Sequence, residues 1–420
     1  MTDSTGTRPT LLLTTNLRWF MLAMILANIA GQMAYSMLSL YLVDMGATVG
    51  QVGLVFTVAS LVPMALQILG GWLSDSIGRL RAIALGSAIA VVGYLLFWLA
   101  PSWLWVMVGL CIEYVSNSVV GPSYSAYIAE QSTEANRGRI FGLTRGIYMT
   151  VTVIGPALAG FLAYRLGFRP MLQVAFVFYA SATALRVWMA LAERFAPTRT
   201  TRPTWSGLRT QMGAMAALLV AGGILTWIWI TDAVVDTASN MTSQLYPLYL
   251  SQIGGLNPSQ IGLLNAAAGG AIIVSSLLAG WLTDRVSERA VIAGGFLVQG
   301  LGVVLLLQTG GFWAMGAAMV VFGLGAGAMM PAYDSIISKV VPEDKRGLAF
   351  GLFGTSLGIL SLPFPWIGAQ LWERIGPPAP FWIMTITCLV SIPIVWIKFV
   401  RPREGPAPAA DVEEGGNPTG

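Results

Sequence analysis

The stretch GGWLSDSIGRLR at residues 70–81 recurs in altered form as AGWLTDRVSERA at residues 279–290, an offset of 209 residues. A constant offset between similar segments is typical of an internal repeat. The same offset pairs Gln51 and Gly53 with Gln260 and Gly262, Pro122 and Tyr124 with Pro331 and Tyr333, Arg137 and Gly138 with Arg346 and Gly347, and Phe141 and Gly142 with Phe350 and Gly351. The sequence therefore predicts two copies of one structural unit.

The composition indicates that this unit lies in a membrane. Only 10% of the 420 residues are charged, 55% are hydrophobic, and the mean hydropathy is +0.71. Uncharged runs of about 18 residues or more are long enough to span a bilayer as helices. Division of the chain at charges and turn residues gives twelve hydrophobic segments, at about 18–43, 49–74, 81–100, 103–129, 139–164, 170–192, 213–246, 258–283, 290–309, 312–338, 347–371 and 379–400. We expect an all-α membrane protein with twelve transmembrane helices in two pseudo-symmetric halves of six.

The segments between the spans define the expected domain organisation. Residues 1–16 form an N-terminal segment, 17–193 the N half, 194–212 a basic linker, 213–400 the C half and 401–420 a disordered tail rich in Pro, Gly and acidic residues. Of the 23 Lys and Arg residues, Arg165, Arg169 and Arg374 lie on the outer side, Arg145 and Arg186 lie within spans, and the other 18 lie in segments on the side of the termini, including the ends of spans. The positive-inside rule therefore predicts a plasma-membrane protein with both termini in the cytoplasm.

Several function classes are excluded by the residues that the chain lacks. It has no His and two Cys, Cys111 and Cys388, each inside an apolar run. We therefore expect no catalytic residues, no metal site, no cofactor and no disulfide framework. A basic pI in a membrane protein reflects where its charges lie, so no nucleic-acid partner is expected.

The repeated stretch also carries a family resemblance. Residues 71–81 resemble the loop motif G-x-x-x-D-R/K-x-G-R/K-R/K of the major facilitator superfamily, at Gly71, Asp75, Gly78 and Arg79. The second copy matches it at Gly280, Asp284 and Arg285, with Ser287 in place of the second Gly. Two six-helix halves in parallel repeat fit this family. The resemblance implies that these residues form conformational gating loops at the cytoplasmic helix ends.

A second motif resembles the drug and proton antiporters of the same superfamily. In the fifth span, Gly142, Gly155, Pro156 and Gly160 match their Gly-Pro pattern, whereas Val151 and Ala159 depart from it. The fourth span has Leu110 where such antiporters place an Arg. The resemblance therefore favours export without identifying an exporter subfamily.

Candidate site residues are the polar groups deep inside spans, because ionisable residues are costly there. Three helical stripes stand out: Asn28, Gln32 and Tyr35 in the first span, Glu113 and Asn117 in the fourth, and Asp232, Asp236 and Asn240 in the seventh. The resemblance implies that these helices line a central cavity. We expect Arg145 to pair with Glu113, and Arg186, nearer the cytoplasmic end, to extend its side chain to the membrane surface.

Together these features predict a secondary active transporter, acting as a monomer, whose partners are a small organic solute, protons and the lipid bilayer. Proton-coupled efflux of amphipathic compounds is the leading hypothesis, with Asp236 first and Glu113 second as the carboxylate that carries the proton. Proton-coupled uptake of a metabolite and lipid translocation are the alternatives. A membrane-embedded enzyme or a receptor would not explain the duplicated loop motif.

Overall fold

A computed structural model describes residues 14–134, 136–192, 223–341 and 346–399, without the side chains of 62–75, 284 and 346–353. The expected linker at 194–212 and tail at 401–420 lie outside the described residues, as does most of the N-terminal segment. Within these ranges the chain forms fourteen helices. Nine of the described helices are long and apolar enough to cross a membrane, and the all-helical membrane fold is confirmed.

The helices of the N half coincide with the first six predicted spans. They are α1 Thr15–Asp44, α2 Val49–Ile77, α3 Arg79–Leu99, α4 Trp103–Glu130, α5 Arg137–Leu166 and α6 Phe168–Ala192. Single glycines separate two pairs of them. Gly78 between α2 and α3, and Gly167 between α5 and α6, have φ angles of 95° and 93°, which residues with a Cβ rarely adopt.

The C half has the same order with two interrupted spans. Its helices are α7 Ile224–Ser243, α8 Tyr246–Gln252, α9 Pro258–Arg285, α10 Glu288–Gln308, α11 Phe312–Val340, α12 Arg346–Ser361, α13 Phe364–Arg374 and α14 Ala379–Lys398. From residue 223 on, the seventh predicted span, 213–246, corresponds to α7; a break at Gln244 and Leu245 separates it from α8, which begins at the predicted end. The eleventh predicted span is divided between α12 and α13. The second break falls at Leu362 and Pro363, because a proline cannot donate the backbone hydrogen bond that a continuous helix needs.

Equivalent helix starts in the two halves are capped alike. At α2, the amide of Thr48 donates to Gln51 Oε1 at 2.9 Å and the amide of Gln51 to Thr48 Oγ1 at 3.2 Å. At α9, Asn257 and Gln260 exchange the same two bonds, both at 3.0 Å. Both are capping boxes, which satisfy backbone amides that a helix leaves free at its start. The capping predicted from the repeat is confirmed.

The two halves meet along two seams. In one, α2 packs against α13; in the other, α5 packs against α9. The seams are related by the repeat, since α2 corresponds to α9 and α5 to α12 and α13. Their closest contacts lie near the start of α2 and α9, at the end of the bundle opposite the chain termini. This arrangement closes one end of the space between the halves.

Candidate functional site

A cavity of about 430 Å³ lies between the halves, next to the closed end. Its wall is formed by α2 and α4 of the N half and by α7, α12 and α13 of the C half. The lining residues are Ser60, Tyr114, Asn117, Ser118, Asp236, Asn240, Gly358, Ser361, Leu362 and Pro365. The volume is within the usual range of small-molecule sites.

Asp236 is the acidic residue in the wall of this cavity. Its Oδ2 accepts hydrogen bonds from Ser361 Oγ at 2.5 Å and from Asn240 Nδ2 at 3.1 Å. Ser361 is the last residue of α12, so the bond joins α7 to the helix break. The carboxylate thus lies in the cavity wall, and two neutral donors hold it in place.

Asp232 lies one helical turn from Asp236, farther from the closed end. It is half-buried and lies within electrostatic range of Asp236 and of Asp334 in α11. Asp232 therefore lies near two other carboxylates of the C half.

On the N-half side, the fourth-span stripe is confirmed as one polar face. Asn117 Nδ2 donates to Glu113 Oε1 at 2.6 Å, and Asn117 lines the cavity. Glu113 itself lies behind Asn117, with 9% of its surface exposed. Its second oxygen, Oε2, is buried and has no hydrogen-bond partner among the described residues.

The polar residues of the first span, Asn28, Gln32 and Tyr35, lie behind the residues that line the cavity. Tyr35 stacks on Tyr114 with ring centroids 6.0 Å apart and an interplanar angle of 10°. Gln32 packs against Gly155 of α5, at the point where a Cβ on that glycine would meet it. Asn28 is bonded within its own helix, Nδ2 to the carbonyl of Met24 at 2.8 Å.

The expected pairing of Arg145 with Glu113 is wrong. Arg145 is exposed on α5 and lies within electrostatic range of Asp334 in the opposite half. The interpretation of Arg186 is also wrong: it is 3% exposed, and its Nη1 donates to Ser87 Oγ at 2.7 Å. Burial among α3 and α6 holds this guanidinium inside the N half, because Ser87 offers it a partner there.

Two residues of the Gly-Pro motif, Pro156 and Gly160, lie at the seam between α5 and α9. A Cβ on Gly160 would lie 2.9 Å from the Cα of Gly262, and a Cβ on Gly262 would meet the carbonyl oxygen of Pro156. These residues therefore let two backbones from different halves come into contact. Gly142, eighteen residues or five turns before Gly160, shares its face of α5, yet a Cβ there would have nothing within 4 Å.

The residues assigned to gating loops lie mostly in helices instead. Gly71 and Gly280 fall within α2 and α9, inside the predicted spans. Asp75, Asp284 and Arg285 are also helical, because α2 and α9 continue to Ile77 and Arg285, beyond the predicted ends. Gly78 alone forms the turn, and Arg79 begins α3. The side chains of Asp75 and Asp284 lie outside the described residues. Arg285 stacks on the indole ring of Trp281 at 4.1 Å.

Two ion pairs at this end occupy equivalent positions with their charges exchanged. Arg79 Nε of α3 contacts Glu130 Oε1 of α4 at 3.1 Å. In the C half, Glu288 Oε1 of α10 contacts Lys339 Nζ of α11 at 2.5 Å. Adding 209 to 79 and to 130 gives 288 and 339. Each pair joins two neighbouring helices of one half.

Comparison with known proteins fits this geometry. The family model described as Major Facilitator Superfamily matches residues 20–234 and 228–419. The chain belongs to the Major Facilitator Superfamily. It is therefore a multi-pass membrane transporter, and its family and structural neighbours are transporters, not enzymes.

Two similar curated proteins are named for drug resistance. The chain is 24% identical over 370 residues to the quinolone resistance protein NorA of Staphylococcus aureus, covering 86% of this chain and 90% of that protein. It is 24% identical over 407 residues to the multidrug resistance protein MdtG of Citrobacter koseri, covering 93% and 96%.

Solved structures of the same fold include two transporter types. A crystal structure of the peptide transporter POT with alafosfalin has a TM-score of 0.71 at 13% identity, covering 91% of this chain and 93% of that one. A bacterial homologue of the iron transporter ferroportin in an inward-facing state has a TM-score of 0.71 at 12% identity, covering 91% and 98%. At such identities the likeness concerns the fold alone.

Sequence reasoning missed part of the cavity wall. Ser60, Tyr114, Ser118 and Ser361 were not among the expected site residues, although Tyr114 directly follows Glu113. The signal for Ser361 is the interruption of an apolar run by Leu362–Pro363–Phe364–Pro365, because a broken helix in a membrane is found where it borders a cavity.

Proposed function

We propose that this transporter exports a small amphipathic organic compound in exchange for protons, by alternating access of a cavity between its two halves. The observation that carries the proposal is Asp236, a carboxylate in the cavity wall held by Ser361 and Asn240. A solute and a proton can compete for such a group, and this competition is the basis of exchange.

The nature of the solute follows from the lining. The wall combines the aromatic face of Tyr114 and the apolar Leu362 and Pro365 with amide, hydroxyl and carboxylate groups. Such a surface suits a compound with an aromatic or apolar body and a polar or cationic group. The relatives named for quinolone and multidrug resistance support the same class.

Orientation, location and assembly form part of the proposal. The excess of Lys and Arg in the loops on the side of the termini supports a plasma-membrane protein with cytoplasmic termini. The closed end is then extracellular, and the cavity is accessible from the cytoplasm, the side from which an exporter takes its solute. One chain supplies both halves of the cavity, so a monomer suffices.

Proton movement in proteoliposomes tests the proposal. With an internal pH dye and an imposed gradient, amphipathic drugs added to the wild type are expected to trigger proton flux that Asp236→Asn abolishes. Asp44→Asn is the control, since Asp44 is an exposed carboxylate at the closed end, outside the cavity. Drug-driven proton flux that persists in Asp236→Asn would contradict the assignment of Asp236.

The same assay separates the alternatives. Flux driven by sugars or amino acids and not by drugs would favour metabolite symport and overturn export. Transfer of a labelled lipid between leaflets, without proton flux for any soluble compound, would favour lipid translocation. We expect the drug response alone.

A further inference from the structure

A second pocket, of about 470 Å³, lies in the N half at the closed end of the bundle. It is formed by the end of α1, the α3–α4 loop, the α5–α6 turn and the start of α6. The lining residues are Tyr41, Asp44, Met45, Pro101, Leu166, Gly167, Phe168, Arg169 and Pro170. None of these residues lines the cavity between the halves. The volume is that of a site for a small molecule or a head group.

This outer pocket has a positive side at the start of α6. Arg169 is the second residue of that helix, and its Nη2 donates to the carbonyl oxygen of Ala100 at 3.1 Å. Ala100 follows the last residue of α3, where carbonyl groups lack helical partners. The bond holds the guanidinium at the pocket and leaves other N–H groups of its fork for a ligand. Together with the free amides at the start of α6, Arg169 favours an anionic group here.

The outer pocket has a negative side at the end of α1. Asp44 is the last residue of this helix and is exposed. The end of a helix carries a partial negative charge, so both the carboxylate and the helix favour a cation. Asp44 and Arg169 line the same pocket but form no ion pair with each other, or with any other described side chain. A ligand with one charge of each sign would satisfy both.

Tyr41 supplies a polar atom without a partner between these charges. The residue is 1% exposed, and its ring packs against Phe168 with centroids 5.9 Å apart. Arg169 and Asp44 both lie within electrostatic range of its hydroxyl. The nearby guanidinium does not complete a hydrogen bond with this hydroxyl, which has no partner among the described residues. A buried polar atom without a partner is costly, and an oxygen of a bound ligand would satisfy it.

The outer pocket lies at the level of the membrane surface. Leu166, in its wall, is 59% exposed, and Leu99, next to Ala100, is 57% exposed. Trp105 and Tyr164 are exposed near the same helix ends, as is typical of residues at the membrane interface. The polar pocket is therefore continuous with an apolar surface that faces lipid chains.

The repeat shows that the fold does not require these charges. With the offset of 209, Gly167 and Arg169 correspond to Gly376 and Pro378, and both glycines have a positive φ, of 93° and 137°. The end of α1 corresponds to the end of α8, where Gln252 stands in the place of Asp44. The same turn is thus built in the C half with neutral residues, so the charge pair of the N half calls for another explanation.

We propose that the outer pocket binds the head group of an aminophospholipid from the leaflet at the closed end. The phosphate lies against Arg169 and the Tyr41 hydroxyl, since a guanidinium fork matches the geometry of phosphate oxygens. The ammonium group lies against Asp44, and the acyl chains run along the exposed leucines.

The position of the site predicts what the lipid does. All the lining residues belong to the N half, so a bound head group joins α1, α6 and the α3–α4 loop without bridging the two halves. We expect it to stabilise the N half whichever end of the transporter is open, and not to compete with the solute. The inference does not depend on proton coupling or on export, and it is tested without a solute.

The test is lipid binding to the full-length protein in detergent. The thermal denaturation midpoint is measured against the concentration of phosphatidylethanolamine, of phosphatidylglycerol with the same acyl chains, and of soluble phosphoethanolamine. A ligand of the folded state raises the midpoint with concentration, which gives an apparent Kd. We expect phosphatidylethanolamine to bind about tenfold more tightly than phosphatidylglycerol, which has no ammonium group for Asp44. Phosphoethanolamine, without acyl chains, is expected to give no shift at the same concentrations.

Three variants assign the groups of the site. Arg169→Gln is expected to weaken phosphatidylethanolamine binding by about tenfold or more, because a charged hydrogen bond is lost. Tyr41→Phe keeps the ring that packs against Phe168 and is expected to weaken binding about two- to tenfold. It also tests the site if Arg169→Gln fails to fold without the bond to Ala100. Asp44→Asn is expected to remove the preference for phosphatidylethanolamine over phosphatidylglycerol.

Arg165→Gln is the matched control. Arg165 is an exposed cation before the same turn, lies over the Phe161 ring at 6.0 Å and does not line the pocket, so this variant is expected to bind like the wild type. Equal binding of the two lipids to the wild type would overturn the inference, as would binding in Arg169→Gln and Tyr41→Phe that equals that of Arg165→Gln. A shift by phosphoethanolamine as large as that by the lipid would overturn the lipid assignment in favour of a soluble zwitterion.

Discussion

The two seams between the halves are built on one pattern but are held differently. In the α2–α13 seam, a Cβ on Gly53 would lie 2.5 Å from the carbonyl oxygen of Pro365 and from the Cβ of Ala369. In the α5–α9 seam, the equivalent Gly262 lies over the carbonyl of Pro156 and over Gly160. Subtracting 209 from 262 and 365 gives 53 and 156. The repeat thus reproduces individual contacts.

The difference lies in what surrounds these contacts. The α2–α13 seam adds two polar caps: Glu373 Oε1 accepts from the amide of Gly50 at 2.7 Å, and Thr57 Oγ1 accepts from the amide of Trp366 at 3.1 Å. Each cap serves a helix N-terminus of the opposite half, where amides lack partners. At the α5–α9 seam, the pair Gly160 and Gly262 allows direct backbone contact. Hydrogen bonds therefore join the α2–α13 seam, which we call the bonded seam, whereas close backbone contact joins the α5–α9 seam, which we call the packed seam.

The largest effect is expected from a disulfide that joins α5 and α9 at the end opposite the Gly160–Gly262 contact. Gly142 and Gly280 lie eighteen residues from Gly160 and Gly262, on the same faces of α5 and α9, and the space around each is open. In a chain with Cys111→Ser and Cys388→Ala, the pair Gly142→Cys and Gly280→Cys is expected to form a disulfide when this end closes. Oxidation should then abolish transport, and reduction should restore it.

Either single cysteine variant is the control for this lock, since neither can form the bond within one chain. Crosslinking is measured by the mobility of the protein after cleavage of the linker region. A double variant that forms the disulfide and transports equally well oxidised and reduced would show that transport does not require this end to open. A double variant that forms no disulfide under oxidation would show that the seam does not close there.

A smaller effect is expected from exchanging the small residues of the two seams. Gly160→Ala should weaken closure, because its Cβ would meet the backbone of Pro258 and Gly262, and overpacking costs about 1–3 kcal/mol. Ala369→Gly, the reverse exchange in the bonded seam, removes a methyl and should cost less. Thermal denaturation midpoints in detergent compare the two; equal losses would mean that the seams pack alike.

The smallest effect concerns the cap at the bonded seam. Glu373→Gln keeps a hydrogen-bond acceptor but removes the charge from the start of α2, a change worth about 0.3–1 kcal/mol. We expect the closed end to open about two- to fivefold more often. The opening of the closed end is measured by the rate at which a polar thiol reagent added to the outside labels Ser60→Cys. Asp44→Asn, which removes another carboxylate at this end, is the control. An unchanged labelling rate in Glu373→Gln would show that this cap does not hold the end closed.

Sequence and structure agree where the repeat or a local motif decides the outcome. The 209-residue offset predicted the pairing of Gly53 with Gly262, and the Thr48–Gln51 and Asn257–Gln260 caps could be read locally. The fold followed because a membrane permits few helical arrangements.

Side-chain contacts between residues far apart in the sequence could not be predicted from the repeat or from local motifs. Arg186 lies close enough to a helix end to reach the membrane surface, and its partner Ser87 is 99 residues away. Ser361 reaches Asp236 across 125 residues only because the helix breaks at Leu362 and Pro363. The charge of Arg145 gave no indication of which half it would face. Side-chain direction in each case depends on packing that hydropathy does not encode.

The single-glycine turns at Gly78 and Gly167 also constrain how the chain enters the membrane during synthesis. A turn of one residue keeps the adjoining ends of α2 and α3, and of α5 and α6, close together. We expect that the two helices of such a pair do not insert into the bilayer separately. We therefore expect each pair to enter the membrane as one helical hairpin. Substitutions at these two glycines would therefore lower the yield of inserted protein before they alter any property of the mature transporter.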